Sequence, residues 1–301
     1  MPDEAYADPP EGAPPEPAAP LAGLVLVSTP IGNLGDFSSR ARDALAGADL
    51  ILCEDTRHSA RLLSALGVSV RTEPLHEYNE DARIAPVLAM LRAGRRIALI
   101  SDAGTPLVSD PGYRLVRAAI AEGFRVGAVP GPNAAVMALT LSGLPPQPFL
   151  FLGFPPPRSA ARRATFGTLR SAERAGLTAT LIWHEAPHRL VETLADMAVS
   201  FGPRAAAVAR ELTKHFEEVR RGTLTDLAAH YAVHAARGEI TVLVGPPEEE
   251  DQEDLDGQLA RALTDHSVKD AAALVSAATG LPRKLVYARA LAMSRSDPDG
   301  Q

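Results

Sequence analysis

Four short apolar runs punctuate the first half of the chain: LVLVS at 24–28, LILC at 50–53, RIALIS at 96–101 and RVGAVP at 125–130. Each is strand-length, aliphatic, and soon followed by turn-forming residues, as expected of strands buried on both faces. Between them lie SSRARDALAGA, HSARLLSAL, DARIAPVLAMLRAG and YRLVRAAIAEG, whose apolar positions recur at helical spacing. Strands alternating with amphipathic helices predict βαβ units and a largely parallel sheet, with ligands at the carboxyl ends of the strands.

Past the Pro-rich segment LSGLPPQP (141–148) the pattern changes. FLFLGF, TATLIWHE, AAAVARELTK, EEVRRG and EITVLVG predict strands, and 159–174, 187–199 and 224–236 predict helices. Segments 205–213 and 216–221 follow each other directly, so they predict an antiparallel element and a second α/β domain of different topology. Three helical stretches close the chain. The last two, SVKDAAALVSAATG and LPRKLVYARALAM, meet at Gly280 with Pro282 just inside the second. That outline suits a helix-turn-helix that touches nucleic acid, and equally a small helical cap. The expected divisions are a tail over 1–21, an N-terminal α/β domain over 22–145, a second α/β domain over 146–246, an acidic linker over 247–256 and a helical domain over 257–295.

Composition narrows the class. The chain has 301 residues, 46% of them hydrophobic and 22% charged, as in an ordinary globular protein of two domains. No stretch approaches the ~20 apolar residues of a membrane span, and the N-terminus lacks a basic start and apolar core, so no secretory signal is expected. The single cysteine, Cys53, lies in an apolar run; it excludes internal disulfides and fits a reducing cytoplasm. The net charge of −7 is unevenly spread. Residues 1–20, rich in Pro and Ala, hold five acids and no Lys or Arg, and are expected to be disordered; 248–256 hold seven acids and no base. The rest keeps 25 acids against 30 Lys and Arg, so an acidic partner is permitted.

The candidate chemistry sits where the predicted strands end. TPIGNLGD (29–36), EDTRHS (54–59), SDAGTPLVSDPG (101–112) and PGPNAA (130–135) follow successive strands and should share one rim. Gly32, Gly35, Gly104, Gly112 and Gly131 suit unusual backbone conformations and close approach of a ligand to the main chain. No G-x-G-x-x-G, P-loop, C-x-x-C, EF-hand or G-x-S-x-G pattern occurs, so neither an ordinary dinucleotide site nor a nucleophile elbow has support. HEAPH at 184–188 has the H-E-x-x-H spacing, but Pro187 inside it is at odds with the helix that motif needs, so no metal site is expected. What remains is a metal-free polar cleft.

TPIGNLGD, EDTR, SDAGTPLVSDPG, PGPNA, FLGFPPPR, HEAPHR and ARELTKHFE, in this order over about residues 22–245, resemble the tetrapyrrole methylase-like (class III) S-adenosylmethionine-dependent methyltransferases. Within them the set is most similar to a branch that methylates the ribose 2′-hydroxyl of a cytidine in 16S rRNA, and the C-terminal helices resemble that branch's appended domain. The resemblance implies two α/β domains, parallel and mixed, with a small helical domain, and S-adenosylmethionine bent between the first two. It also implies a homodimer in the cytoplasm acting on 16S rRNA or the small ribosomal subunit. By position, Pro30, Asp102, Gly104, Val108, Asn133, Ala134, Trp183 and Leu212 would line the cofactor pocket. For Trp183, the only tryptophan, core packing is the alternative. A related enzyme acting on a tetrapyrrole or other small molecule is the competing substrate class.

Methyl transfer to a weakly nucleophilic hydroxyl needs in-line placement, and gains from a proton acceptor or from a cation beside the developing alkoxide. Lys214, its pKa lowered by burial between carboxylates, or Glu211 would fill that role, with Glu54 and Asp55 as further candidates and Glu185 nearby. The alternative is that these charges only pair across a domain interface. Arg57, Arg61, Arg158, His188 and Arg189 are the expected phosphate contacts. Arg162 and Arg163 are further candidates, for which a solvated helix face is the favoured alternative. His76 and His184 suit ordinary hydrogen-bonded histidines.

Overall fold

The computed structural model describes residues 23–247, 250–279 and 281–296. The expected tail over 1–21, Gly280 and two residues of the acidic linker lie outside the described residues. The chain divides into two compact units between Pro132 and Asn133.

The first unit runs β1 (Leu24–Val27), α1 (Ser39–Ala46), β2 (Leu50–Cys53), α2 (Thr56–Ala65), β3 (Thr72–Pro74), α3 (Glu80–Arg92), β4 (Ile97–Ile100), α4 (Tyr113–Ala121) and β5 (Val126–Val129). Its sheet has the order β3-β2-β4-β1-β5, with every pairing parallel. Successive residues of a strand point to opposite faces, and the runs LVLV, LILC and IALI feed both. Leu24, Leu50, Leu52, Ile97 and Leu99 pack with Val87, Leu88, Leu91 and Leu115 of α3 and α4. Val25, Val27, Ile51, Cys53, Ala98 and Ile100 pack with Ala41, Leu45 and Leu63 of α1 and α2. Helices therefore cover both faces, and each fully buried aliphatic side chain contributes about 1.5–3 kcal/mol. The chain steps outward from β1 to β2 and β3, then returns to lay β4 between β2 and β1. That reversal is where ligands bind in open parallel sheets.

The second unit runs α5 (Ala134–Ser142), β6 (Phe149–Phe151), α6 (Ser159–Arg174), β7 (Thr180–Glu185), α7 (Leu190–Phe201), β8 (Ala205–Arg210), β9 (Glu218–Thr223), α8 (Leu224–Val233) and β10 (Ile240–Val244). Its sheet, β6-β7-β10-β8-β9, is mixed: β6 and β7 are parallel, while β10 runs antiparallel to both neighbours and β8 to β9. Leu181, Trp183, Val208, Val242 and Val244 face Phe166, Leu190, Leu194, Met197, Phe201, Leu224 and Leu227 of α6, α7 and α8. Helix α5 packs against β7, β8, β9 and β10, and belongs to this unit by its contacts. The unit ends in α9 (Glu250–Asp265), α10 (Val268–Thr279) and α11 (Arg283–Ser296). They share a core of their own, Leu259, Ala262, Ala271, Ala272, Val275, Leu281, Val286 and Ala290. Helix α9 begins inside the acidic segment. The expected fold class, a parallel sheet, a mixed sheet and a helical C-terminus, is the one observed.

Candidate active site

In the first unit the loops after β1, β2, β4 and β5 are laced to one another. The backbone of Thr29 exchanges two hydrogen bonds with Gly104, donating at 2.8 Å and accepting at 3.2 Å. The Thr29 hydroxyl donates to the Ser101 carbonyl at 3.1 Å, and the Ser101 hydroxyl to the Gly104 carbonyl at 2.9 Å. The Thr105 hydroxyl reaches the Pro132 carbonyl at 3.1 Å, and Asp102 Oδ1 accepts from the Asp55 N–H at 3.3 Å. Gly131 passes so close to Ser28 that a Cβ on it would lie 2.8 Å from the Ser28 Cβ. The four motifs thus form one rim.

This rim is acidic. Burial raises the Glu54 pKa, and the Asp102 charge adds to the effect. Burial, then the charges of Glu54 and Asp102, push Asp110 up to about 6, partly offset by the Ser101 hydroxyl. Asp55 is different. Its Oδ1 accepts from the N–H groups of Arg57 at 2.7 Å and His58 at 3.4 Å, capping α2, and these hold its pKa below the usual range. Expected to handle a proton, its carboxylate is instead occupied as a helix cap.

The loop from 101 to 112 is built under strain. Leu107 and Ser109 lie in the left-handed region, at φ +71° and +69°, uncommon for any non-glycine residue and an outlier for a bulky one. Its far end is anchored by a residue absent from the expected site. Glu80, buried at the start of α3, accepts from the N–H groups of Arg114 at 2.7 Å and Leu115 at 3.0 Å, supplying the cap that Gly112 lacks. The Arg114 side chain completes the clamp on Glu80, Asp81 and the Glu77 carbonyl.

In the second unit, register gathers the remaining motifs on one sheet edge. Ile240, at the start of β10, pairs with Glu185 at the end of β7 and with Arg210 at the end of β8, while Arg210 pairs with Glu218. FLGFPPPR joins them because the His184 N–H donates to the Gly153 carbonyl at 2.9 Å. Here Lys214 Nζ lies 2.9 Å from Glu211 Oε1 and 3.2 Å from Glu239 Oε2. Burial pulls the Lys214 pKa down, but the hydrogen bonds and charges of Glu211 and Glu239 outweigh it and the net shift is upward. The expected lowering is reversed, because two carboxylates favour the cation more than partial burial penalises it. The hydrogen bond from Lys214, in turn, holds Glu211 below its ordinary value.

The turn holding these groups is strained as well: Glu211 and Thr213 have φ of +50° and +64°, and the buried Thr213 hydroxyl has no hydrogen-bond partner among the described residues. Gly238 makes the arrangement possible. A Cβ there would lie 2.2 Å from Glu211 Oε1 and 2.5 Å from its Cγ; without one, the Glu211 carboxylate fits and accepts the Glu239 N–H at 3.1 Å.

The structure sorts the expected residues. Pro30, Asp102, Gly104 and Val108 share the first rim. Asn133 caps α5, its Oδ1 accepting from the Val136 N–H at 3.1 Å, and Ala134 opens that helix. Leu212 lies between the two left-handed residues of the second turn. The Trp183 indole, 1% exposed, packs edge-on against Phe166 in the core, in line with the core-packing alternative for it. Arg189 is not a free phosphate ligand: its guanidinium lies 2.6 Å from the buried Glu185 carboxylate. Arg162 is on no solvated face; it is fully buried, 2.6 Å from Asp196, while Arg163 is exposed beside the same carboxylate. Arg57, Arg61, Arg158 and His188 are exposed. His184 is half-buried, hydrogen-bonded to Thr241 at 3.2 Å, and its pKa is lowered by burial. Glu239, Gly238, Asp110 and Glu80 were missed by sequence reasoning; of these only Asp110 lies within a quoted motif, SDAGTPLVSDPG, that could have drawn attention to it.

Residues 23–228 match the Tetrapyrrole (Corrin/Porphyrin) Methylases, and 249–294 match the RsmI C-terminal HTH domain. The chain is 46% identical to a Mesorhizobium japonicum protein named ribosomal RNA small subunit methyltransferase I, over 94% of this chain and 97% of that one. A Micromonospora olivasterospora protein of the same name is 46% identical over 92% and 89%. Among solved structures, diphthine synthase superposes with a TM-score of 0.57 at 14% identity, covering 74% of this chain and 89% of that one, a likeness of fold. On the strength of the family match and these relatives, the chain belongs to the tetrapyrrole methylase family, in the branch whose curated members are named ribosomal RNA small subunit methyltransferase I.

Proposed function

We propose that the protein methylates the ribose 2′-hydroxyl of a cytidine in 16S rRNA of the small ribosomal subunit, working as a homodimer in the cytoplasm. That it is an S-adenosylmethionine-dependent methyltransferase follows from its family. When bound, that cofactor supplies an electrophilic methyl group on a positively charged sulfonium. The first rim suits such a group. Its carboxylates, Glu54, Asp102 and Asp110, complement a cation, while Gly104 and Gly131 let the loops pack closely against Ile31 and Ser28, where a side chain would collide. We assign Pro30, Asp102, Gly104, Val108, Asn133 and Ala134 to holding it, and Leu212 through the main chain of its strained turn.

Lys214, kept protonated by Glu211 and Glu239, serves as a fixed positive charge for the oxygen that becomes nucleophilic. Glu54, whose affinity for a proton is raised by burial, is better suited to accept the hydroxyl proton than Asp55, which is held low. Arg57, Arg61, Arg158 and His188 remain available for phosphates. The observation that carries the assignment is the single rim formed by four laced strand-end loops in a chain of this family.

The test is methylation of small ribosomal subunits with labelled S-adenosylmethionine, followed by digestion to nucleosides. Label in 2′-O-methylcytidine is expected. Label on a base, or incorporation only into a precorrin offered in parallel, would overturn the proposal.

A further inference from the structure

Phe154 is 55% exposed, yet it is not a stray surface apolar residue. Gly153 before it adopts φ +65° and is pinned through its carbonyl by the His184 N–H. Three prolines follow, of which Pro155 is buried. The Phe154 ring centroid lies 5.7 Å from that of His184, which in turn stands edge-on to Phe151 at 4.9 Å and is hydrogen-bonded to Thr241. Burial lowers the His184 pKa, so its ring backs Phe154 as a neutral group. Phe216, 66% exposed on the same unit, has among the described residues only the adjacent His215 as a ring neighbour. Phe154 thus is held in place by its backbone and by the His184 ring while more than half of it stays exposed.

We infer that Phe154 is a preformed stacking platform for an unpaired nucleobase of the RNA target, on the sheet edge that also carries Lys214. The inference rests on the RNA substrate proposed above and names an element that holds it. An aromatic face accepts any base without reading its edge, and its low side-chain entropy makes such a contact effective. The flanking Arg158 is exposed and suits the backbone of the same strand.

Two measurements on the full chain test this. A single-stranded oligonucleotide of the target sequence carrying 2-aminopurine should lose fluorescence on binding the unaltered protein, and lose much less with Phe154→Leu. With small subunits, Phe154→Leu should raise KM roughly ten- to hundred-fold, leaving cofactor affinity by calorimetry unchanged, and Phe154→Trp should restore KM. Equal quenching and equal KM in Phe154→Leu would overturn the inference. So would loss of dimerisation in that variant, which would make Phe154 a contact between copies. Quenching that depends on Phe154 without 2′-O-methylation by the unaltered protein would instead sink the proposed reaction and leave the platform standing.

Discussion

Replacing Gly238 by alanine should break the Lys214 site, and the size of the effect follows from the geometry. The added methyl would sit within 2.5 Å of three Glu211 side-chain atoms, so the carboxylate has to leave. Its departure removes the Lys214 ion pair and the hydrogen bond from the Glu239 N–H. For a partly exposed pair these are together worth about 1–2 kcal/mol. Holding alanine at φ +81° costs about 1–2 kcal/mol more. The total loss is about 2–4 kcal/mol. In a Glu211→Ala background the methyl has room, and only the backbone cost remains. A double-mutant cycle should therefore show coupling of about 1–2 kcal/mol between the two positions. Urea unfolding followed by Trp183 fluorescence is the assay, because the only tryptophan is in the core of this unit. If Gly238→Ala costs the same with and without the Glu211 side chain, the steric argument is wrong.

Other perturbations separate structural from functional roles. Glu80→Ala leaves the Arg114 and Leu115 N–H groups without their acceptor and should cost about 2–4 kcal/mol, with faster hydrogen exchange at the start of α4; unchanged exchange there would refute the capping role. Asp110, raised to about 6 in the fold against 3.8 ordinarily, contributes stability that is complete below pH 3.8 and lost as pH rises through about 6. Asp110→Asn should flatten that slope in thermal melts, and should weaken S-adenosylmethionine binding at pH 7 while removing its decline toward pH 5. Arg158→Ala, at an exposed position, should leave stability within about 0.5 kcal/mol and cofactor affinity unchanged while raising KM for the subunit; a fall in cofactor affinity would point to a structural role.

Elements with a clear pattern were legible: β1, β2 and β4 are short, uniformly apolar runs because helices cover both faces. β3, Thr72–Pro74, was missed because an edge strand of three residues with a glutamate and a proline has no apolar run. Helix α5 hid in the opposite way. AAVMALTLS is apolar on nearly every side, so it shows no stripe, and the turn before it drew the attention. At the site, the loops on the first rim were readable from their glycines and prolines. Lys214 could be singled out as a candidate, but not the direction of its shift, since that depends on Glu239, 25 positions away and delivered by register. Arg162 and Arg189 illustrate the same limit: sequence shows a charge, while only packing shows that a carboxylate has already claimed it.

The place of β4 in the first sheet has a consequence for synthesis on the ribosome. Neither β1 nor β2 pairs with the other; both wait for Ile97–Ile100 to be inserted between them. A nascent chain halted at residue 94 would hold β2 and β3 together and leave β1 without any native neighbour. Assembly of this unit is therefore deferred until roughly its last third has emerged, and a stalled or truncated product would expose aliphatic strand surface to chaperones instead of forming a half-built domain.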